Sequence, residues 1–568
     1  MPMLTPWGEA LDKARPLPEY PRPQLRRESY LNLNGPWDYA ITPDAQPPLA
    51  WDGEIIVPFS PESVLSGAAR GPEPGEYLWY RRSVTLPQGF RRGRLLLHFG
   101  AVDQLAWVYV NGVEVRAHAG GFTPFSADIT DAVGETDAFE LTVRVLDTTD
   151  AGCQTRGKQK TRRGGIWYTP QSGIWQTVWM ESVPENYIRG LRIIPHFDTA
   201  KLELWVAGEG SCHAEFGGES FNFPAGAPAV LPVPDLHPWT PEDPYLYDLY
   251  LRLGEDEVES YFAMRKFTVE PDDDGVPRLC LNGAPYFHNA LLDQGYWSDG
   301  LLTAPDDAAY IYDIELAKSM GFNTLRKHIK LEPLRWYYHC DRLGMLVWQD
   351  MPNGGTAYRA PAVTWPLVTG AHARDNRYGF FGRRDPESRA QYLAELREML
   401  NALVNCPCIA MWVPFNEGWG QFDAAKVSER ILEFDATRTV DHASGWHDQG
   451  WGQLCSRHVY FRPYRFEPDA LGRAVILSEF GGYTLRVEGH AFSRREFGYR
   501  RFDSANSYQF ALRELYREQI RPARAAGLAA AVYTQLSDVE DELNGLVTYD
   551  RRVVKIPPAL MRGITRTD

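Results

Sequence analysis

The chain is predicted to be a multidomain α and β protein, with an N-terminal β-sandwich, a second, immunoglobulin-like β-sandwich and a C-terminal (β/α)8 TIM barrel. Three observations carry this reading. The 568 residues exceed what one hydrophobic core accommodates. Residues 1 to about 270 read as short alternating or apolar runs separated by turns. After residue 275 strand-like runs alternate with amphipathic helical stretches, the pattern of parallel pairing.

In residues 1–184 the runs Arg94-Leu95-Leu96-Leu97-His98-Phe99 and Ala106-Trp107-Val108-Tyr109-Val110 are strand candidates. Asn111-Gly112, followed by Val113-Glu114-Val115, is a two-residue hairpin signal, because both turn positions need positive φ. The Gly/Trp-rich stretch from Gly164 to Glu181 either packs inside the sandwich or forms a loop that reaches an active site. Residues 185–270 carry further strands, among them Lys201-Leu202-Glu203-Leu204-Trp205-Val206 and Leu246-Tyr247-Asp248-Leu249-Tyr250-Leu251, over a length that suits a small immunoglobulin-like sandwich. Pro271-Asp272-Asp273-Asp274-Gly275 reads as the boundary to the barrel, residues 271–568. There, strands are expected to end near Leu291, His328, Pro352, Glu417, Trp446, Phe461, Glu479 and Ser537, eight in all. Between them, Tyr392, Leu393, Leu396, Met399, Leu400, Leu403 and Val404 recur at helical spacing and predict a helix with one buried face over 391–404. The Arg-rich stretches 373–388 and 494–501 are longer than a barrel needs.

Composition excludes several functions. The balance of 59 basic against 74 acidic residues gives a net charge of −15, unsuited to nucleic acid or anionic membranes as the main partner. No apolar run is long enough to span a bilayer, and the start lacks a basic segment followed by an apolar one, so a cytoplasmic location is expected. The seven cysteines are odd in number and scattered, and Cys406-Pro407-Cys408 has no second pair, so reduced thiols are expected. Eighteen Trp and 29 Tyr are more than packing needs, and flat rings with polar handles suit stacking on sugar faces.

Two apolar runs end in glutamate: Met411-Trp412-Val413-Pro414-Phe415-Asn416-Glu417 and Ala474-Val475-Ile476-Leu477-Ser478-Glu479. Counted along the strands, Glu417 follows the fourth and Glu479 the seventh, at the rim where a barrel collects catalytic groups. Two carboxyl groups there can cleave an acetal, one protonating the leaving oxygen while the other attacks or activates water. Pro414, Phe415 and Trp419 around Glu417 favour the acid, whereas Glu479 sits beside Ser478 and the small Gly481-Gly482.

The segments Asn32-Leu33-Asn34-Gly35-Pro36-Trp37, Gly173-Ile174-Trp175-Gln176-Thr177-Val178-Trp179, Asn416-Glu417-Gly418-Trp419 and Ser478-Glu479-Phe480-Gly481 resemble those of glycoside hydrolase family 2, the family of β-galactosidases, β-glucuronidases and β-mannosidases. The resemblance runs essentially end to end. It implies a jelly-roll sugar-binding domain in front of the two others, retaining chemistry, Glu417 as acid/base, Glu479 as nucleophile and Asn416 as the residue bonding the sugar 2-hydroxyl. Asn323-Thr324-Leu325-Arg326-Lys327-His328 is similar to the family's Asn-x-x-Arg stretch, so Arg326 is expected to hold the nucleophile and His328 to bond a hydroxyl, or else to sit satisfied in the barrel wall. His328 falls two residues after the Arg, where β-galactosidases place it three after.

Further rim candidates are Asp350, as a substrate ligand or a cap; Trp446, as a stacking platform; Tyr460, as a partner of Glu479; Gln535, facing the pocket or closing the barrel; and Asp293, in the polar and aromatic loop after the first strand. The Glu-x-His arrangement of the large bacterial β-galactosidases is missing after Asp350, so no metal and no cofactor is expected. The glucuronidases' Asn-x-Lys element is not evident, although Lys327, Lys330 and Lys555 remain candidate partners for a carboxylate. Asp293 and Asp350 beside the site predict a neutral glycone. The reading is an exo-acting, retaining β-glycosidase of oligosaccharides or glycosides, with β-galactosidase the first expectation. β-Glucuronidase, β-mannosidase and a galactofuranosidase or arabinofuranosidase are its alternatives, a homo-oligomer is allowed, and the non-enzyme rival is a catalytically silent carbohydrate-binding protein.

Overall fold

The structure is a computed structural model that describes residues 3–566. The N-terminal sandwich packs a four-stranded sheet (order Leu31–Asn32, Val178–Val183, Arg94–Phe99, Phe125–Asp128) on a six-stranded one, whose central strands are Tyr77–Thr85 and Ala138–Leu146. Neighbouring strands are antiparallel, and the inward residues Trp37, Tyr80, Leu95, Val108, Val143 and Ile174 form its core. The Asn111-Gly112 hairpin forms as expected: Val110 pairs with Val113, and the turn residues have φ of 48° and 78°. The second sandwich faces a three-stranded sheet (Gly190–His196, Lys201–Ala207, Ala229–Pro232) with a four-stranded one (Ser211–Phe216, Glu219–Pro224, Tyr247–Leu253, Asp256–Phe262). Alternate residues such as Leu202, Leu204, Val206, Leu249 and Leu251 close the gap between the sheets.

The acidic stretch 271–275 is a hairpin turn and not an open linker. Asp272 accepts hydrogen bonds from the Asp274 and Val276 amides, which ties the strand Phe267–Pro271 to Pro277–Leu281. The sequence marks this stretch as a boundary and carries no signal that the two flanking strands pair with each other.

The barrel has eight parallel strands: β1 His288–Asp293, β2 Thr324–Lys327, β3 Leu346–Asp350, β4 Ile409–Val413, β5 Thr439–Val440, β6 Leu454–Val459, β7 Ala474–Gly481 and β8 Ala530–Thr534. They pair in the order β5-β4-β3-β2-β1-β8-β7-β6, leaving a seam between β5 and β6. Side chains bridge that seam: Ser456 Oγ donates to Asp441 Oδ2 at 2.9 Å and lies 3.3 Å from Ser444 Oγ. Ala290, Leu292, Trp348, Met411, Val413, Leu454, Ile476 and Val532 fill the interior as a packed layer. The same alternation lifts Arg326 and Asp350 toward the rim above that layer. The predicted helix on 391–404 spans Pro386–Leu403, starting earlier because Asp385 caps the Glu387 amide and Pro386 occupies the first turn. All seven cysteines are free, and no helix among the described residues is long and apolar enough to cross a membrane.

Candidate active site

The rim brings Glu417 and Glu479 together around one imidazole. His458, at the end of β6, places Nδ1 2.9 Å from Glu417 Oε1 and 3.5 Å from Glu479 Oε2. Its Nε2 lies 3.5 Å from Arg326 Nη1, and a guanidinium can only donate, so Nε2 is the acceptor and the neutral ring carries its proton on Nδ1, toward the carboxylates. Burial, with Arg326 adding to it, holds the ring neutral, its pKa pushed down to about 4. Nothing in the sequence pattern singles out His458, which lies two residues before Tyr460.

Glu417 sits beyond β4 with φ of +50°, a conformation a glutamate adopts only when its surroundings impose it. Its amide donates to Ser444 O, and Trp446 Nε1 donates to its carbonyl, so both flanks of the peptide are fixed. Burial raises its carboxyl pKa to about 7; Lys158 and Arg326 oppose that rise, and Glu542 adds to it. Glu479 is also raised by burial and by Glu417, but its oxygens are held as an anion would be. Tyr460 donates to Oε2 at 2.5 Å and Arg326 Nη1 to Oε1 at 3.3 Å. Tyr460 is stacked on Tyr499 with ring centres 3.7 Å apart, so the Arg-rich stretch 494–501 wraps back onto the site.

Arg326 is fully buried and organises the floor. It grips Asp350 with two bonds of 3.0 and 3.1 Å, donates to Asn416 Oδ1 at 2.8 Å, and reaches Glu479. With Oδ1 taken, Asn416 is left with an amide Nδ2 that is buried and has no partner among the described residues, a free donor beside Arg326. Trp446 is half-buried and stands edge-on to His458 at 5.5 Å, which leaves it available as a sugar platform.

Four rim candidates hold partners inside the protein, for His328 and Gln535 the wall positions that the sequence left open. Asp350 touches Arg326 and His328 Nδ1 (2.8 Å) and is fully buried, which suits holding those two side chains and not a sugar hydroxyl. His328 thereby spends Nδ1 on Asp350. Asp293 is the counter-ion of Lys327 at 2.6 Å and accepts the Gly295 amide with its other oxygen. Gln535 closes the barrel, accepting from Gln294 and donating to Asn544 at 2.8 and 2.7 Å. Side-chain direction decides these cases: Lys327 follows Arg326 on β2 and points the other way, over Trp336, drawing Asp293 with it. Removing Asp350 strands a buried guanidinium, so Asp350→Ala is expected to lower stability by about 3–5 kcal/mol. Calorimetric unfolding checks this, and a loss under about 1 kcal/mol would contradict the ion-pair assignment.

The first sandwich contributes more to the mouth than its Gly/Trp-rich stretch. Its loop 153–168 crosses to the barrel mouth, where Thr155 bridges Gly354 and the Arg156 amide donates to Asn353 O. Trp167 of this loop reaches Trp419, with ring centres 5.2 Å apart, while Trp175 is buried with Nε1 on Gly121 O. The Gly/Trp-rich stretch therefore does both things expected of it, at different residues. Lys158 from the same loop lies over Tyr168 and Trp419, 5.3 and 5.8 Å from their ring centres.

Glu417, His458 and Glu479 present one ligand atom each within 4.8 Å, the arrangement among the described residues that could hold a metal ion. Arg326 lies against it, 3.3 Å from Glu479 Oε1, a fixed cation that disfavours a metal ion there. Dialysis against EDTA is therefore expected to leave kcat within about twofold, and added zinc to inhibit competitively with substrate. A large loss restored by magnesium would contradict this.

Fold and site define a barrel hydrolase scaffold with paired carboxyl groups. Matches to the family description "Glycosyl hydrolases family 2, sugar binding domain" cover residues 67–184, and to "Glycosyl hydrolases family 2, TIM barrel domain" residues 304–551, together more than half of the chain. The chain belongs to glycoside hydrolase family 2. It is 24% identical over 380 residues to a β-galactosidase of Thermoanaerobacter pseudethanolicus, covering 62% of this chain and 46% of that protein. It is 24% identical over 408 residues to the β-glucuronidase of Mus musculus, covering 65% and 59%. The chain thus spans about half the length of the curated relatives it matches. The solved β-D-glucuronidase of Dictyoglomus thermophilum shares the fold, with a TM-score of 0.74 at 18% identity over 96% of this chain and 98% of that one.

Proposed function

We propose that the chain is an exo-acting, retaining β-glycosidase with Glu417 as acid and base and Glu479 as nucleophile. The observation that carries this reading is the separation of the two carboxyl groups, which present oxygens within 4.8 Å of each other. Retention takes roughly 5–5.5 Å between carboxyl groups, whereas inversion takes roughly 6.5–9.5 Å to admit a water between them. Glu479, held by Tyr460 and Arg326, attacks the anomeric carbon while Glu417 gives its proton to the leaving oxygen. The bond to the leaving group breaks and a glycosyl ester forms on Glu479. That ester removes the negative charge which repels Glu417, so the Glu417 pKa falls. Glu417 then takes a proton from water, and the hydroxide so formed releases the sugar with its configuration kept. The unpartnered Asn416 Nδ2 suits a bond to the 2-hydroxyl.

For the glycone, a β-glucuronide is better supported than the first-expected β-galactoside. Most of the similar proteins carry the name β-glucuronidase, in both sequence and structure. The argument against a uronate also weakens, since Asp293 and Asp350 are neutralised by Lys327 and Arg326 and would not repel a carboxylate. A panel of nitrophenyl β-glycosides tests this, spanning glucuronide, galactoside, mannoside, galactofuranoside and arabinofuranoside. The glucuronide is expected to lead in kcat/KM by at least about tenfold. A lead for the galactoside would overturn the glycone and leave the mechanism standing. Binding of sugars with no hydrolysis of any would favour the silent binding protein.

A further inference from the structure

The four buried lysines at or near the barrel mouth differ in one respect. Lys327 has Asp293 Oδ2 at 2.6 Å and Glu332 Oε1 at 2.8 Å. Lys330 has Glu332 Oε1 at 2.8 Å together with the carbonyls of Gly295 and Leu302, and Lys555 has Asp538 Oδ1 at 2.6 Å and Leu543 O at 2.9 Å. These three, the candidates first considered for a substrate carboxylate, are spent inside the protein. Lys158 is only 6% exposed, yet among the described residues its ammonium has aromatic rings beside it and no ion pair or hydrogen bond. A cation in that state is free to take an anionic partner from outside the protein.

Its surroundings locate it at the catalytic centre. It lies over the rings of Tyr168 and Trp419, and its charge acts on Glu417 and on His328. Glu542, the other carboxylate on this side, has one oxygen on the Tyr168 hydroxyl and the other on Asn544 Nδ2 at 3.1 Å, so it is engaged elsewhere. The backbone that presents Lys158 is firm. Its carbonyl accepts the Tyr168 amide, the amides of Arg156 and Gly157 both reach Asn353 O, and Gln159 bonds Asp103 at 2.8 Å. Gly157 has φ of +61°, and a Cβ there would meet Ile329 O at 3.0 Å, so glycine is needed for the loop to lie this close to the barrel.

We infer that Lys158, supplied by the first sandwich and not by the barrel, is the specificity residue that pairs with the carboxylate of a uronic-acid glycone. The inference rests on the uronide reading above. An ammonium already positioned on a firm loop binds a carboxylate without the cost of ordering a flexible chain, and a neutral glycone would leave it unpaired.

The test compares wild type with Lys158→Met and Lys158→Arg on 4-nitrophenyl β-D-glucuronide and 4-nitrophenyl β-D-glucoside. Circular dichroism and thermal unfolding check that the variants fold. The ratio of kcat/KM, glucuronide over glucoside, is expected to fall at least about 50-fold in Lys158→Met, mainly through KM, and to recover in part in Lys158→Arg. If Lys158 acts only by tuning Glu417, both substrates lose activity alike and the alkaline limb of both pH profiles moves up together; that result would overturn the inference. Wild type that prefers glucuronide while Lys158→Met keeps the preference would refute Lys158 and spare the uronide reading. Wild type that prefers the glucoside, with a ratio indifferent to Lys158, would refute both.

Discussion

Replacing Glu479 by Ala or Gly is expected to lower kcat by several orders of magnitude, because the carboxylate proposed to attack is gone. Effects of this order are what loss of a covalent nucleophile produces. The fold should survive, since the removed group is bonded only through side chains: Tyr460 keeps Thr534 Oγ1 at 2.9 Å and Arg326 keeps Asp350. Azide or formate should restore part of the rate by entering the vacated space. With azide the product should be a glycosyl azide of inverted anomeric configuration, because a single displacement replaces two. A variant retaining more than about a tenth of wild-type activity would exclude Glu479 from the role.

Replacing Glu417 by Ala should do damage that depends on the leaving group. Dinitrophenyl glycosides need no proton and should form the glycosyl-enzyme almost normally, whereas alkyl glycosides should hardly react. The pH profile follows from the same residue. Glu417 must be protonated to act, and burial lifts its pKa to about 7, so wild-type kcat/KM should fall as pH rises through about 7. That alkaline limb should vanish in the variant, measured on a dinitrophenyl substrate. Equal losses on both kinds of substrate, with the limb kept, would argue against Glu417 as the acid.

Much of this was legible along the chain. Parallel barrel strands are buried on both faces, so they appear as short apolar runs, and the polar residue that ends each run marks the rim. Glu417, Glu479, Arg326 and Tyr460 stand at such positions. The same property hid the rest. A strand buried on both faces has no alternation to show which side a residue takes, so Asp293 and Gln535 looked like pocket residues while the structure uses them in the barrel wall. Lys158 was invisible for another reason: it lies some 260 residues before Glu417, on a loop of a different sandwich, and only the docking of that loop against Asn353 and Gly354 brings it to the mouth.

The most direct test of the central claim is to trap the intermediate. The enzyme is incubated with a 2-deoxy-2-fluoro-β-glycosyl fluoride of its best glycone, which forms the ester quickly and hydrolyses it slowly, and the digested protein is mapped by mass spectrometry. A single added glycosyl group on the peptide containing Glu479, absent in Glu479→Gln, is the predicted result. An adduct on Glu417, or no adduct together with a first-formed product of inverted configuration, would contradict it.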